Sequence, residues 1–301
     1  MANSRDSLPD SSEVTSGADA DSASAPTIYC PYTNRDIPIS ESNSEHIIPL
    51  ALGGLNTFTL PVSKDFNSHI GSVIDGALAN DFLVMAKRDK HAVKGHTRRE
   101  PEYVVTNASD AETGAPLRVT MGQRKGLRIW SPIEKRDLTG LGKKVSLAFT
   151  LDMDIALRFV AKVALSAGYL IYGDLFRDKV KHDEFRTIMN HRPTEVGDAI
   201  YTMEARIDHR FREAETDNDK ILRAMCTMVG PRSIVAVMPT SKTLAVAVGV
   251  LGDYMGMISV PADTRDFPNK DEFRWGQFYI LTKPVPIRDS VWKLLERMSR
   301  G

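Results

Sequence analysis

Glu45 and His46 stand side by side in Ser44-Glu45-His46-Ile47-Ile48-Pro49, and Asn67 follows in Phe66-Asn67-Ser68-His69-Ile70-Gly71. An imidazole exchanges protons near neutral pH because its unperturbed pKa lies there. The side-chain oxygens of Glu and Asn suit a hard ion such as Mg²⁺, which keeps several waters and takes few protein ligands. Ser63-Lys64-Asp65 reads as a helix start with Ser63 as N-cap. Asn67 then falls in the first turn, where the helix dipole and free amides favour a phosphate.

The surrounding pattern sets the elements that would hold these groups. Ile37 to Pro49 reads as extended, Gly53-Gly54 as a turn and Phe58 to Val62 as a short apolar strand. Phe66, Ile70, Val73, Ala77 and Leu78 recur at helical spacing, predicting one buried face that runs to about Met85. The order is hairpin, loop, strand, helix. Glu45-His46-Ile47-Ile48-Pro49, then Leu52-Gly53-Gly54, then Asn67-Ser68 with Gly71 resembles the HNH endonuclease family over residues 30 to about 85. That resemblance implies a ββα-metal fold in which Glu45 is the first metal ligand, His46 the general base and Asn67 the second ligand. The implied cofactor is one divalent ion, Mg²⁺ or Mn²⁺, and the implied products carry 5′-phosphate ends. The chemistry is consistent with such groups: phosphodiester hydrolysis needs a base to take a proton from water and a cation to absorb charge on the phosphate and leaving oxygen.

Geometry constrains this assignment. Adjacent residues of a regular strand point to opposite faces, so Glu45 and His46 need a bulge or a strand end to act together. His69, two residues beyond Asn67, falls on roughly the opposite side of the helix. Asp75 shares the Asn67 stripe but lies about 12 Å along the axis, too far to share an ion. Gly71 lies between them as a candidate for close strand packing. Many relatives carry two CxxC pairs that bind a structural zinc. The matching positions here are Cys30 with Thr33 and Ser63 with Phe66, so no structural zinc is expected and Phe66 is expected to pack in its place. The family's middle asparagine falls near Asn56, although direct alignment places Phe58 or Thr59 there.

Outside this stretch the sequence bounds the answer more loosely. Lys plus Arg and Asp plus Glu number 39 each, and this zero net charge argues against a histone-like coat on nucleic acid. Two cysteines, Cys30 and Cys226, are too few for a disulfide framework and fit a reducing, cytoplasmic setting. No signal peptide or membrane partner is expected. Residues 1–27 read as a disordered, acid-rich tail, 28–99 as the nuclease module and 100–301 as a larger accessory region that regulates it or binds substrate. Lys87, Arg88, Lys90, Lys94, Arg98 and Arg99 form a basic run that Arg124, Lys125 and Arg128 could extend into a phosphate-tracking patch. The same residues also read as a solvated face.

A long amphipathic helix is predicted from about Asp152 to Tyr172, on which Arg158 and Lys162 share a face, either lining a groove or forming the wet side. A second helix is predicted over about Ala199 to Ala214, strands over Ser233–Pro239, Thr243–Gly249 and Tyr254–Val260, and a helical tail over Ile287 to Met298. The fold class is α+β: an N-terminal ββα-metal module, then a larger region with a long helix and a C-terminal antiparallel sheet. The expected partner is DNA, with RNA as the alternative, and a homodimer would let two sites cut both strands. Two rival readings stand beside catalysis. One is a non-catalytic nucleic-acid-binding or scaffold protein on a degenerate HNH fold. The other is a defence effector gated by a regulatory ligand or partner protein at residues 100–301.

Overall fold

The computed structural model describes residues 25–96, 98, 101–122, 126–138, 144–148, 152–191 and 202–300. The acid-rich tail up to residue 24 lies outside them.

The chain opens with two antiparallel hairpins, β1 (Thr27–Cys30) with β2 (Arg35–Pro38), and β3 (Ser42–His46) with β4 (Thr59–Ser63). Helix α1 (Lys64–Ile70) follows β4 directly and passes into a single wide π-turn, Gly71–Asp75, before α2 (Gly76–Ala79) and α3 (Phe82–Lys90). The extra residue of the π-turn rotates the buried stripe. Ile70, Ile74 and Leu78 face the core while Val73 and Ala77 face solvent, which corrects the stripe read from spacing alone. A Cβ at Gly71 would meet open space, so no strand packs closely there.

A five-stranded antiparallel sheet follows, built from β5 (Tyr103–Asp110), β6 (Pro116–Gly122), β7 (Gly126–Ser131), β8 (Arg136–Asp137) and β9 (Val145–Leu147), in the order β8-β7-β6-β5-β9. It buries its own small core of Val105, Ala108, Leu117, Val119 and Leu138.

The predicted long helix is α4 (Met153–Tyr172), whose N-cap Asp152 accepts from the amides of Asp154 and Ile155. By length and composition α4 could span a bilayer, but it is mostly buried inside the protein. Short helices α5 (Asp174–Lys179) and α6 (Asp183–Asn190) pack beside it. The helix expected over Ala199 to Ala214 is not formed across Arg206–His209, which is instead strand β10, paired antiparallel to a later strand of the large sheet. The helix proper, α7 (Asp217–Met228), begins after a capping box of Thr216 and Asp219.

Strands β11 (Ser233–Pro239), β12 (Thr243–Val250) and β13 (Asp253–Pro261) match the expected elements to within a residue or two. With β10, β14 (Gln277–Leu281) and β15 (Ile287–Ser290) they form a six-stranded antiparallel sheet ordered β10-β13-β12-β11-β14-β15. The tail expected to be wholly helical pairs as β15 first, and α8 (Val291–Arg300) starts only after Ser290, whose hydroxyl accepts from Lys293 N. Both sheet faces are apolar because both are covered. Along β11, Val235 and Val237 face α4, whereas Ile234 and Ala236 face α7 and α8.

The main core is continuous across the predicted division at residue 99. Ile47, Leu52, Leu60, Val62, Ile74 and Leu78 share it with α4 and with β12 and β13. Hydrogen bonds cross the same seam, for example Ser233 Oγ to Leu52 O at 2.6 Å. The Gly53-Gly54 pair makes the turn that feeds this contact. Gly53 adopts φ +81°, and a Cβ on Gly54 would lie 1.6 Å from the Ile48 carbonyl oxygen. Backbone must move to accept a side chain there, so Gly54→Ala should destabilise the protein by about 1–3 kcal/mol in urea unfolding. An unchanged midpoint would contradict this packing.

Candidate functional site

The β3–β4 ladder runs in uninterrupted register from Ser42 opposite Ser63 to His46 opposite Thr59. Opposed residues share a face, so Asn43 and Glu45 lie with buried Leu60 and Val62 on the inner side. Ser44 and His46 lie on the outer side. There is no bulge; the adjacent pair falls instead at the strand end, and the chain bends at Ile47-Ile48.

Helix α1 packs across β3 and β4. It brings Asn67 to the inner face, where Asn67 Nδ2 donates to Asn43 Oδ1 at 2.8 Å. Asn43 is two residues from Glu45 on the same face, so the Asn67 amide is anchored beside the Glu45 row. Because Nδ2 makes that bond, Oδ1 is the atom left to meet a cation or donor.

Glu45 is 7% exposed and its Oε1 forms an ion pair with the ammonium of Lys162, which is wholly buried in the middle of α4. Lys162 Nζ also reaches Asp75 Oδ2 at 3.1 Å, His46 O at 2.9 Å and Ile47 O at 3.3 Å. The π-turn is what carries Asp75 inward to this cluster. Burial by itself would push the Lys162 ammonium to shed its proton, but the charges of Asp75 and Glu45 and the nearby Tyr32 hydroxyl outweigh it and raise its pKa. Asp75 responds in the opposite sense. Burial pushes its pKa up to about 6 against the pull of Lys162, and the Glu45 charge adds to the rise. Two carboxyls share one ammonium, and Asp75 tends towards its neutral form.

His46 Nε2 lies 2.9 Å from Asn56 Oδ1. An amide oxygen only accepts, so Nε2 carries the proton and Nδ1 keeps the lone pair in the neutral ring. The ring edge also meets His96, with centroids 5.3 Å apart. His69 is exposed on α1.

The basic run divides. Lys87 pairs with Asp253 at 2.7 Å, and Arg88 turns inward to donate to Ala79 O at 2.7 Å. Lys90, Lys94 and Arg98 are exposed, the last two flanking in sequence the His96 that meets His46. Arg99, Arg124 and Lys125 lie outside the described residues, and Arg128 pairs with Asp137 on the five-stranded sheet. On α4, Arg158 donates to Met189 O.

Cys30 and Ser63 also meet. Ser63 N donates to Cys30 Sγ at 3.3 Å, and Phe66 packs on Tyr32 with ring centroids 5.8 Å apart. Apolar packing and a thiol acceptor take up the space between the β1–β2 hairpin and α1.

Among the described residues, no three His, Cys, Asp or Glu side chains form a metal cage. A carboxylate and a carboxamide are a sparse oxygen set, the kind that fits an ion keeping most of its water. Sequence reasoning passed over three contributors. Lys162 was read as groove or wet side, although Phe159, Val160, Ala161 and Val163 around it are all apolar. Asn56 is one option among neighbours in the sequence, and His96 sits within the basic run.

Comparison of the chain with protein-family models, with curated proteins and with solved structures returns no match.

The Asp75 shift has a signed consequence. Its folded pKa of about 6 lies above the ordinary 3.8, so its ionisation costs stability as pH rises from about 4 to about 6. Asp75→Asn should flatten that part of the stability profile in urea melts. Parallel profiles for wild type and variant would contradict the assignment.

Proposed function

We propose that the chain is a metal-dependent endonuclease of the HNH type, hydrolysing phosphodiester bonds in DNA. The observation that carries this reading is the hairpin-helix unit β3–β4–α1, which sets Asn67 against the Glu45 face while Asn56 holds the adjacent His46. The meeting of Cys30 with Ser63 supports it, because these are two of the positions that hold zinc in the HNH family, and Phe66 packs beside them on Tyr32.

The residues divide the work as follows. Glu45 and Asn67 would hold a divalent ion, which would supply charge stabilisation at the phosphate and leaving oxygen. Asn43 fixes the Asn67 amide so that Oδ1 is the ligand atom. Lys162 holds Glu45 in place from within the core. Asn56 keeps the proton of His46 on Nε2, leaving Nδ1 to accept a proton from the attacking water. The exposed Lys94 and Arg98, next to His96, supply positive charge where the DNA backbone would pass. The Asn56–His46 bond also favours catalysis over a purely binding role on the same fold, since a binding surface has no need of one tautomer.

Supercoiled plasmid provides the test. Wild type with Mg²⁺ or Mn²⁺ should nick or linearise it, EDTA should abolish cutting, and His46→Ala should slow it by about 10²–10⁴-fold. Asn56→Ala should cost less, about 10–100-fold, because it only orients the base. Cutting that persists in EDTA, or at full rate in His46→Ala, would overturn this mechanism.

A further inference from the structure

Lys162 Nζ pairs with Glu45 Oε1 and donates to Asp75 Oδ2, His46 O and Ile47 O. Two of these are consecutive main-chain carbonyls. In a strand, successive carbonyls point to opposite sides, so two that converge on one nitrogen cannot both belong to extended chain. The bend that follows β3 at Ile47-Ile48 is the local result. The bend lies beyond His46, so it leaves Glu45 and His46 on the two faces that the ladder gives them and turns the chain directly after them.

The same lysine belongs to α4, and α4 is the helix on which the six-stranded sheet rests. Next to Lys162 on that helix, Val160, together with Leu157, lies against the β13 backbone at Gly256, within 3.5 Å of where a Cβ there would stand. The lysine therefore ties the catalytic hairpin to the sheet through one rigid element. A hydrated surface would supply these carbonyls with water; a buried amine supplies a fixed donor instead.

We propose that Lys162 is the positioning residue of this site: its ammonium holds the Glu45 carboxylate and the His46 and Ile47 carbonyls together, and so fixes the end of β3 on which both site residues stand. This deepens the nuclease reading and rests on it for its catalytic consequence, but its structural consequence can be read without any cutting.

The test joins ring ¹⁵N spectra of histidine-labelled protein to plasmid cleavage kinetics. The His46 signals are assigned by their loss in His46→Gln. In wild type His46 should show a single Nε2–H tautomer. In Lys162→Met that preference should relax to a mixture, and kcat should fall about a hundredfold while KM for plasmid stays nearly constant, as expected when a reacting group is misplaced. Lys162→Gln keeps an N–H donor for the carbonyls and should fall between the two. A folded Lys162→Met with the wild-type His46 spectrum and wild-type kcat overturns the proposal. Should Lys162→Met fail to fold, Lys162→Gln decides. A shifted His46 spectrum with reduced kcat supports the role, and wild-type values in both overturn it. If wild type itself does not cut, the nuclease reading fails, and the His46 spectra of the Lys162 variants still decide the positioning role.

Discussion

One buried ammonium organises this molecule. Lys162 lies wholly inside the core, where an unpaired charge is prohibitive, so every group around it must face it. Glu45, Asp75 and the carbonyls of His46 and Ile47 do so. Removing one member of such a set strands the others, at a cost of about 3–5 kcal/mol. Apolar side chains replacing the charged set as a whole could satisfy the core equally well. The arrangement is therefore better understood as specifying where the end of β3 goes than as a source of stability.

That specification matters because the hairpin unit is too small to hold itself. Its inner face sets Asn43 and Glu45 beside Leu60 and Val62, and among the described residues no cluster of His, Cys, Asp and Glu could hold a structural metal. The remaining stabilisation comes from outside: Leu52, Leu60 and Val62 join a core shared with α4 and the six-stranded sheet, and Ser233 reaches across to the Leu52 carbonyl. Arg210 and Asp81 close a second, almost fully buried bridge between α3 and the segment after β10. The accessory region is thus also the scaffold of the candidate site.

Much of this was legible in the residues, and the failures have physical causes. Strands β11 to β13 and helix α4 follow from strong local periodicity and clear turns. Glu45, His46 and Asn67 stand out by motif spacing, and the structure places Asn67 and Glu45 on facing surfaces. The misread elements depend on distant partners. Arg206–His209 is a strand because β13 offers an edge, and Ile287–Ser290 because β14 does. The π-turn moved Asp75 inward by a rotation that an ideal helix of 3.6 residues per turn does not contain. Lys162 was misjudged because a lysine is taken as solvated by default, and only its tertiary partners reverse that.

The most direct test of the account is a crystal structure of the protein soaked with Mn²⁺, read by anomalous scattering. The account predicts a peak in contact with a Glu45 carboxylate oxygen and Asn67 Oδ1, with His46 nearby and Asn56 still holding its Nε2. Saturating Mn²⁺ with no peak at Glu45 and Asn67, or with Asn67 turned away to ligate nothing, would contradict it.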